Sequence, residues 1–335
     1  MKPGDSPLAN RKATSREPEM SPCPAGRAPV HRPVVSARVR LAWLACCVLW
    51  GSTWLFIKLG LRDLPPLRFA ALRMTLAALL LLPFAMRAGL LRSGRAAALR
   101  VGAIGLIQIG VPYALLFAAQ QWVASGLSAV LFATFPVWLL LLARVLLPAQ
   151  PLSPAKLLAA ALGIAGIVVL QLPALRSAGA GDRAALGGSL IVAAAVLVAL
   201  ANVLVRRGLE AVPPAVLTFG QVFAGAALLI VLAWMLEGGR SASWTPGAAV
   251  AVVYLAICGT AVPYLLLFWL LPRIPVAAIG AIPLVDTTLA VFLGSVVLGE
   301  RLGWHLLAGG ALVLIAAAIA NGVGAARLET QPSAP

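Results

Sequence analysis

"VPYALLF" at residues 111–117 and "VPYLLLF" at 262–268 are one heptad written twice, 151 positions apart, differing only where Ala114 faces Leu265. Each copy carries a proline inside a long apolar run, where an α-helix loses a hydrogen bond and meets a ring clash. The chain has three tyrosines, and two of them, Tyr113 and Tyr264, hold the same place in the two copies. The match extends outward. "KLGLRDLPP" at 58–66 aligns with "RRGLEAVPP" at 206–214, offset 148, and "LLAAALGIAGI" at 157–167 aligns with "LLAGGALVLIA" at 306–316, offset 149. Three anchors at nearly constant spacing define an internal duplication rather than a repeated motif.

The duplicated material is apolar throughout. Of 335 residues, 61% are hydrophobic and 11% charged, where a soluble domain carries about a quarter charged. Windows of about 20 apolar residues, the length that crosses a bilayer core, fall at 41–61, 66–87, 100–123, 126–147, 154–173, 186–206, 214–236, 246–272, 276–299 and 303–322. The expectation is an all-α membrane protein of ten transmembrane helices, five in each repeat, with repeats at 41–173 and 185–322. Five is odd, so the second repeat enters the membrane in the opposite sense. Inverted repeats of this kind mark secondary transporters, with the substrate site near the midplane where helices are interrupted. Pro112 and Pro263 in spans three and eight, and more loosely Pro136 and Pro283 in spans four and nine, are the expected kinks or gate elements.

Residues 1–40 are rich in Pro, Ser and Arg and cannot bury a core, so they read as a disordered tail. They lack the apolar stretch and the cleavage site of a signal peptide. Residues 323–335 form a second tail. The net charge of +16 could suggest nucleic acid, but the cations lie in the tail and short loops, as topology demands. With the N-terminus inside, 18 Lys and Arg fall on the inner side and 7 on the outer, with Arg73 left within a span. Both termini are therefore expected in the cytoplasm, and no nucleic-acid partner is expected. The four cysteines show no metal or disulfide spacing, and neither a metal nor a cofactor is expected.

Polar groups at membrane depth need a reason. Asp286 lies about ten residues into span nine, roughly 15 Å deep at 1.5 Å per residue. It is a candidate proton-coupling carboxylate, or a contact for a substrate ammonium group. A third role is an Asp satisfied by Thr287 and Thr288. Arg73, about seven residues into span two, is a candidate substrate-facing cation, and its repeat mate is Gln221. Snorkelling to the interface is the alternative for Arg73. Gln108, Gln120, Gln121, Asn202 and Asn321 suit either hydrogen bonds between helices or a polar cavity wall. Trp50, Trp54, Tyr113, Trp138, Tyr264 and Trp269 are candidate cavity walls. Gly163, Gly166, Gly309 and Gly310 fit close helix packing.

The chain resembles a known family at "WGSTWLFIKLGL" (50–61), at Leu72-Arg73 and at "LGERL" (298–302). With two five-helix repeats, these are similar to the EamA-type transporters of the drug/metabolite transporter superfamily. The resemblance covers roughly 41–322. It implies a bacterial inner-membrane carrier moving amino acids, other metabolites or small toxic compounds, often outward, with a basic residue at Arg73. The first half departs from the pattern: "LLPAQPL" at 146–152 lacks the glutamate of "GER", and Thr287 stands where Pro136 has its mate.

An enzyme is disfavoured. The two histidines, His31 and His305, lie in the tail and at a helix end, and one aspartate is buried in a span. No paired carboxylates or phosphate-binding glycine loop are present. A secondary transporter of small metabolites or drug-like compounds, exporting by alternating access with protons as a possible coupling ion, is the main expectation. An uptake carrier, a passive channel or a lipid flippase on the same scaffold are the alternatives.

Overall fold

The computed structural model describes residues 36–92, 94–146, 154–176, 182–270, 272–274, 278–279 and 281–328. The main helices are α1 (Ala37–Gly60), α2 (Pro66–Arg87), α3 (Arg95–Ala119), α4 (Ser125–Leu146), α5 (Pro154–Arg176), α6 (Asp182–Gly208), α7 (Pro214–Glu237), α8 (Pro246–Leu270), α9 (Ile282–Leu298) and α10 (Trp304–Leu328). Among the described residues, eight helices are long and apolar enough to cross a membrane, and Ile282–Leu298 and Trp304–Ala320 are shorter apolar helices. The all-α expectation holds. Several boundaries differ from the hydropathy windows: α9 starts later, at Ile282, whereas α1 starts earlier at Ala37, α3 at Arg95 and α6 at Asp182, and α10 runs on to Leu328. Polar and basic residues at helix ends lower a hydropathy window without breaking the backbone hydrogen bonding. Most of the tail at 1–40 lies outside the described residues.

Local chemistry sets the ends. The double prolines put Pro66 and Pro214 in the first turns of α2 and α7, where a missing N–H costs nothing. Ser36 and Thr245 cap α1 and α8 by accepting from Val39 N and Ala248 N. Gly299 ends α9 at φ +67°, the left-handed position that a Cβ disfavours.

The repeated heptad is tolerated by a device the sequence did not announce. Immediately before each "VPY", the helix widens into a π-turn, Leu106–Gly110 in α3 and Ile257–Ala261 in α8. The wider turn relieves the clash that a proline ring makes with the carbonyl four residues back. Those carbonyls belong to Gln108 and Gly259.

Packing follows the duplication. α2 lies along α7 and α5 along α10; α1 contacts α8 and α9, as α6 contacts α3 and α4. Exchanging the first five helices for the last five leaves this set of principal pairs unchanged. The close approaches are made by small residues: a Cβ on Gly166 would lie 2.9 Å from the Gly309 carbonyl, and one on Gly309 3.0 Å from that of Gly166. The buried centre is apolar, with Phe69, Met74, Phe117, Leu229 and Leu255 within one cluster.

One end of the bundle is stapled by side chains. Glu300, just past α9, accepts from Ser125 N (2.6 Å) and Gly126 N (2.9 Å) at the start of α4. Glu237, at the end of α7, accepts from Leu67 N (3.0 Å) and Arg68 N (2.8 Å) at the start of α2. Lys58, in the last turn of α1, donates to the carbonyls of Gln120 (2.6 Å) and Val123 (2.8 Å) at the end of α3. Each charge meets the helix terminus of opposite partial charge. Asp63 accepts from the Thr245 hydroxyl (2.6 Å) at the same end. At the other end, Trp43 Nε1 donates to the Ala278 carbonyl (2.7 Å).

Candidate functional site

A cavity of about 420 Å³ lies among α1, α2, α3, α4, α6, α8 and α9. Its wall runs from Ile57 and Leu116, near the stapled end, to Leu267 and Ile279 toward the opposite one. The structure brings Arg73, Asp286, Tyr113, Tyr264, Trp50, Trp54 and Asn202 together on this wall, with Pro136 and Pro283. Pro112 and Pro263 are buried but do not line it. Gln221 does not line it either. It packs on the first π-turned helix, where a Cβ on Gly105 would lie 2.6 Å from the Gln221 Cα. The near-absence of a side chain at Gly105 lets α7 seat its backbone there.

Arg73 is 2% exposed, so it does not snorkel to the surface. Its Nη2 donates to Thr260 Oγ1 (3.2 Å) and to the Gly259 carbonyl (3.4 Å). Gly259 is the carbonyl whose ordinary helical donor would be the N–H that Pro263 lacks, so the second heptad supplies part of the cation's seat. The guanidinium carbon lies 5.2 Å from the Tyr113 ring centre and 5.8 Å from that of Phe117, within cation–π range. Its Nε has no partner, and no carboxylate within ion-pair reach of it is found among the described residues. A buried cation held only by neutral dipoles is incompletely compensated.

Asp286 is half-buried and lines the same cavity from α9. Its Oδ1 is 3.2 Å from the Thr287 hydroxyl, which also reaches the Pro283 carbonyl at 2.7 Å. One hydroxyl has one proton to give, and the shorter contact competes for it, so the carboxylate is weakly held. α1 comes close behind it: a Cβ on Gly51 would stand 2.8 Å from the Asp286 carbonyl oxygen. Arg73 and Asp286 thus face one cavity as opposite charges that do not pair with each other.

Aromatic rings complete the wall. Trp50 meets Tyr264 edge-on at 5.8 Å, Trp54 meets Phe132 at 5.6 Å and Tyr113 lies over Phe117 at 6.2 Å. The polar contacts Gln108, Thr53 and Thr287 also line the cavity. Sequence reading left Gln108 undivided between packing and cavity. Its place four residues before the duplicated Pro112 was the signal that could have raised it. Trp138 and Trp269 lie off this wall.

Comparison with known proteins agrees with this architecture. The EamA-like transporter family profile matches residues 39–172 and again 185–322. The chain is 26% identical over 280 residues to the uncharacterized transporter YoaV of Bacillus subtilis, covering 82% of this chain and 94% of that protein. It is 28% identical over 265 residues to the uncharacterized inner membrane transporter YedA of Escherichia coli K12, covering 78% and 83%. A protein of known crystal structure superposes with a TM-score of 0.59 at 23% identity, over 88% of this chain and 99% of that one. That last likeness concerns the fold alone. The duplicated profile, spanning both halves of the helical bundle, settles the kinship: the chain belongs to the EamA-like transporter family, and so to the drug/metabolite transporter superfamily.

Proposed function

We propose that this membrane transporter is a secondary carrier that exports small zwitterionic metabolites, amino-acid-like or drug-like, by alternating access. The observation that carries the reading is the pair of unpaired opposite charges, Arg73 and Asp286, on one aromatic-walled cavity. Arg73 would take the substrate's carboxylate and Asp286 its ammonium group. Neither charge meets a counter-charge among the described residues, so a ligand carrying both signs lowers the energy of both. Asp286 then alternates between substrate and proton, which couples export to the proton gradient.

In this reading ten helices cross the bacterial inner membrane as two inverted repeats, with both termini cytoplasmic. The exchange-invariant set of helix pairs supports a two-fold relation between the halves. The stapled end becomes the outer one, so the cavity is closed outward and reaches toward the cytoplasm. YedA carries an inner-membrane description, which supports the same location here.

The test is Asp286→Asn in proteoliposomes, with amino-acid exchange and proton-driven accumulation measured side by side. The variant is expected to keep downhill exchange and lose gradient-driven accumulation. Wild-type accumulation by the variant refutes the coupling role.

A further inference from the structure

We propose that Gln108 and Asn202 form a specificity subsite that reads an uncharged hydrogen-bonding group on the substrate, such as a side-chain hydroxyl or carboxamide. The inference rests on the zwitterion reading of the same cavity and adds what lies beyond the two charged ends.

Gln108 comes from the π-turn of α3 and Asn202 from α6, and both line the cavity. Asn202 Nδ2 donates to Gln108 Oε1 (3.1 Å) and to the carbonyl of Val198 in its own helix (2.8 Å). Two amides that serve only to join helices can close on each other, each donating once and accepting once. This pair does not close. Asn202 has spent both amide protons, one of them on its own backbone, so its Oδ1 is an open acceptor. Gln108 has only accepted, so its NH₂ group remains an open donor; neither atom has a partner among the described residues. An adjacent donor and acceptor at membrane depth, on a cavity wall, match a group that both accepts and donates.

The group they match is uncharged. Apart from the tyrosines, the ionisable side chains on the cavity wall among the described residues are Arg73 and Asp286, and the zwitterion ends occupy both. A third charge would have no counter-charge in a low dielectric. The pair also occurs once. By the repeat offsets, the mate of Gln108 is Gly259 and that of Asn202 is Trp54. Gly259 lends only its carbonyl, to Arg73. The charged clamp and the neutral reader each draw one member from each half, Arg73 and Gln108 from the first and Asp286 and Asn202 from the second.

The experiment is counterflow into proteoliposomes with isosteric pairs, asparagine against leucine and threonine against valine. A site with matched donors and acceptors rejects the apolar isostere because its own polar atoms are left unpaired, here by roughly 10- to 100-fold for a half-exposed pair. In the Gln108→Met/Asn202→Leu double variant the polar-to-apolar ratio is expected to fall toward one. The single Gln108→Met variant, which preserves shape, is expected to move the ratio the same way if the double variant does not fold. Arg73→Met serves as the control that depresses both members of each pair. An unchanged ratio in the variants, with Arg73→Met still depressing both members, overturns the subsite alone and makes the pair an inter-helix bond. Wild-type protein that carries no member of either pair overturns the subsite together with the zwitterion reading.

Discussion

Arg73→Met is the perturbation whose sign separates a structural cation from a binding one. The guanidinium holds one hydrogen bond of 3.2 Å, a longer one of 3.4 Å and two aromatic faces, with no carboxylate in reach. Replacing a buried, imperfectly compensated charge with an apolar side chain of similar length is neutral or stabilising, by about 0–2 kcal/mol here. Substrate binding moves the other way. Loss of a desolvated pair between guanidinium and carboxylate costs about 2–5 kcal/mol, roughly 30- to 4,000-fold in Kd. Arg73→Lys keeps the charge without the planar fork, and on the order of tenfold should be lost. Melting in detergent and equilibrium binding of an amino acid and its carboxamide analogue, which lacks the carboxylate, make the measurement. Wild-type protein is expected to prefer the acid, and the Met variant to bind both alike while melting at or above the wild-type temperature. A Met variant that melts well below wild type yet binds the acid with unchanged affinity refutes the reasoning.

Other expectations concern the ends and the topology. Glu300→Gln weakens two charge-assisted bonds to Ser125 N and Gly126 N, and a stability loss of about 1–3 kcal/mol should appear as a lower melting temperature. Gly309→Leu drives a side chain into the carbonyl of Gly166 and Leu170, so monodisperse yield should collapse, whereas Gly303→Ala, with open space around it, should be silent. Reporter fusions at residue 180 and at the C-terminus should report opposite sides; the same side for both would dismantle the inverted arrangement.

The duplication and the helical class were legible because they are written in identities and in hydropathy, two properties that survive without coordinates. Asp286 and Arg73 were legible for the same reason, since a charge in an apolar window stands out. The π-turns were not. "LIQIG" and "ICGTA" have ordinary helical composition, and the extra residue per turn is forced only by the prolines downstream and the neighbouring helices. Nor were the staples legible: Glu237 reads as a charged helix end, and its task is set by the start of α2, 170 positions away from Leu67. Gln221 shows the reverse. It matches Arg73 by alignment, yet the missing side chain of Gly105 draws it into helix packing, so position in the repeat did not carry over to position on the cavity.

The staples also bear on how such a chain could have arisen from a single five-helix ancestor. Both carboxylates, Glu237 and Glu300, are donated by the second half, and both amide clusters they hold belong to the first. Ala149 and Gln150 stand where the first half would need its own glutamate. Two copies of the first half would therefore leave the starts of α2 and α4 without these carboxylates. The dependence runs in one direction: the carboxylates that close this end of the bundle over the starts of α2 and α4 come from the second half alone, so in the fused chain the first half relies on its neighbour for these caps.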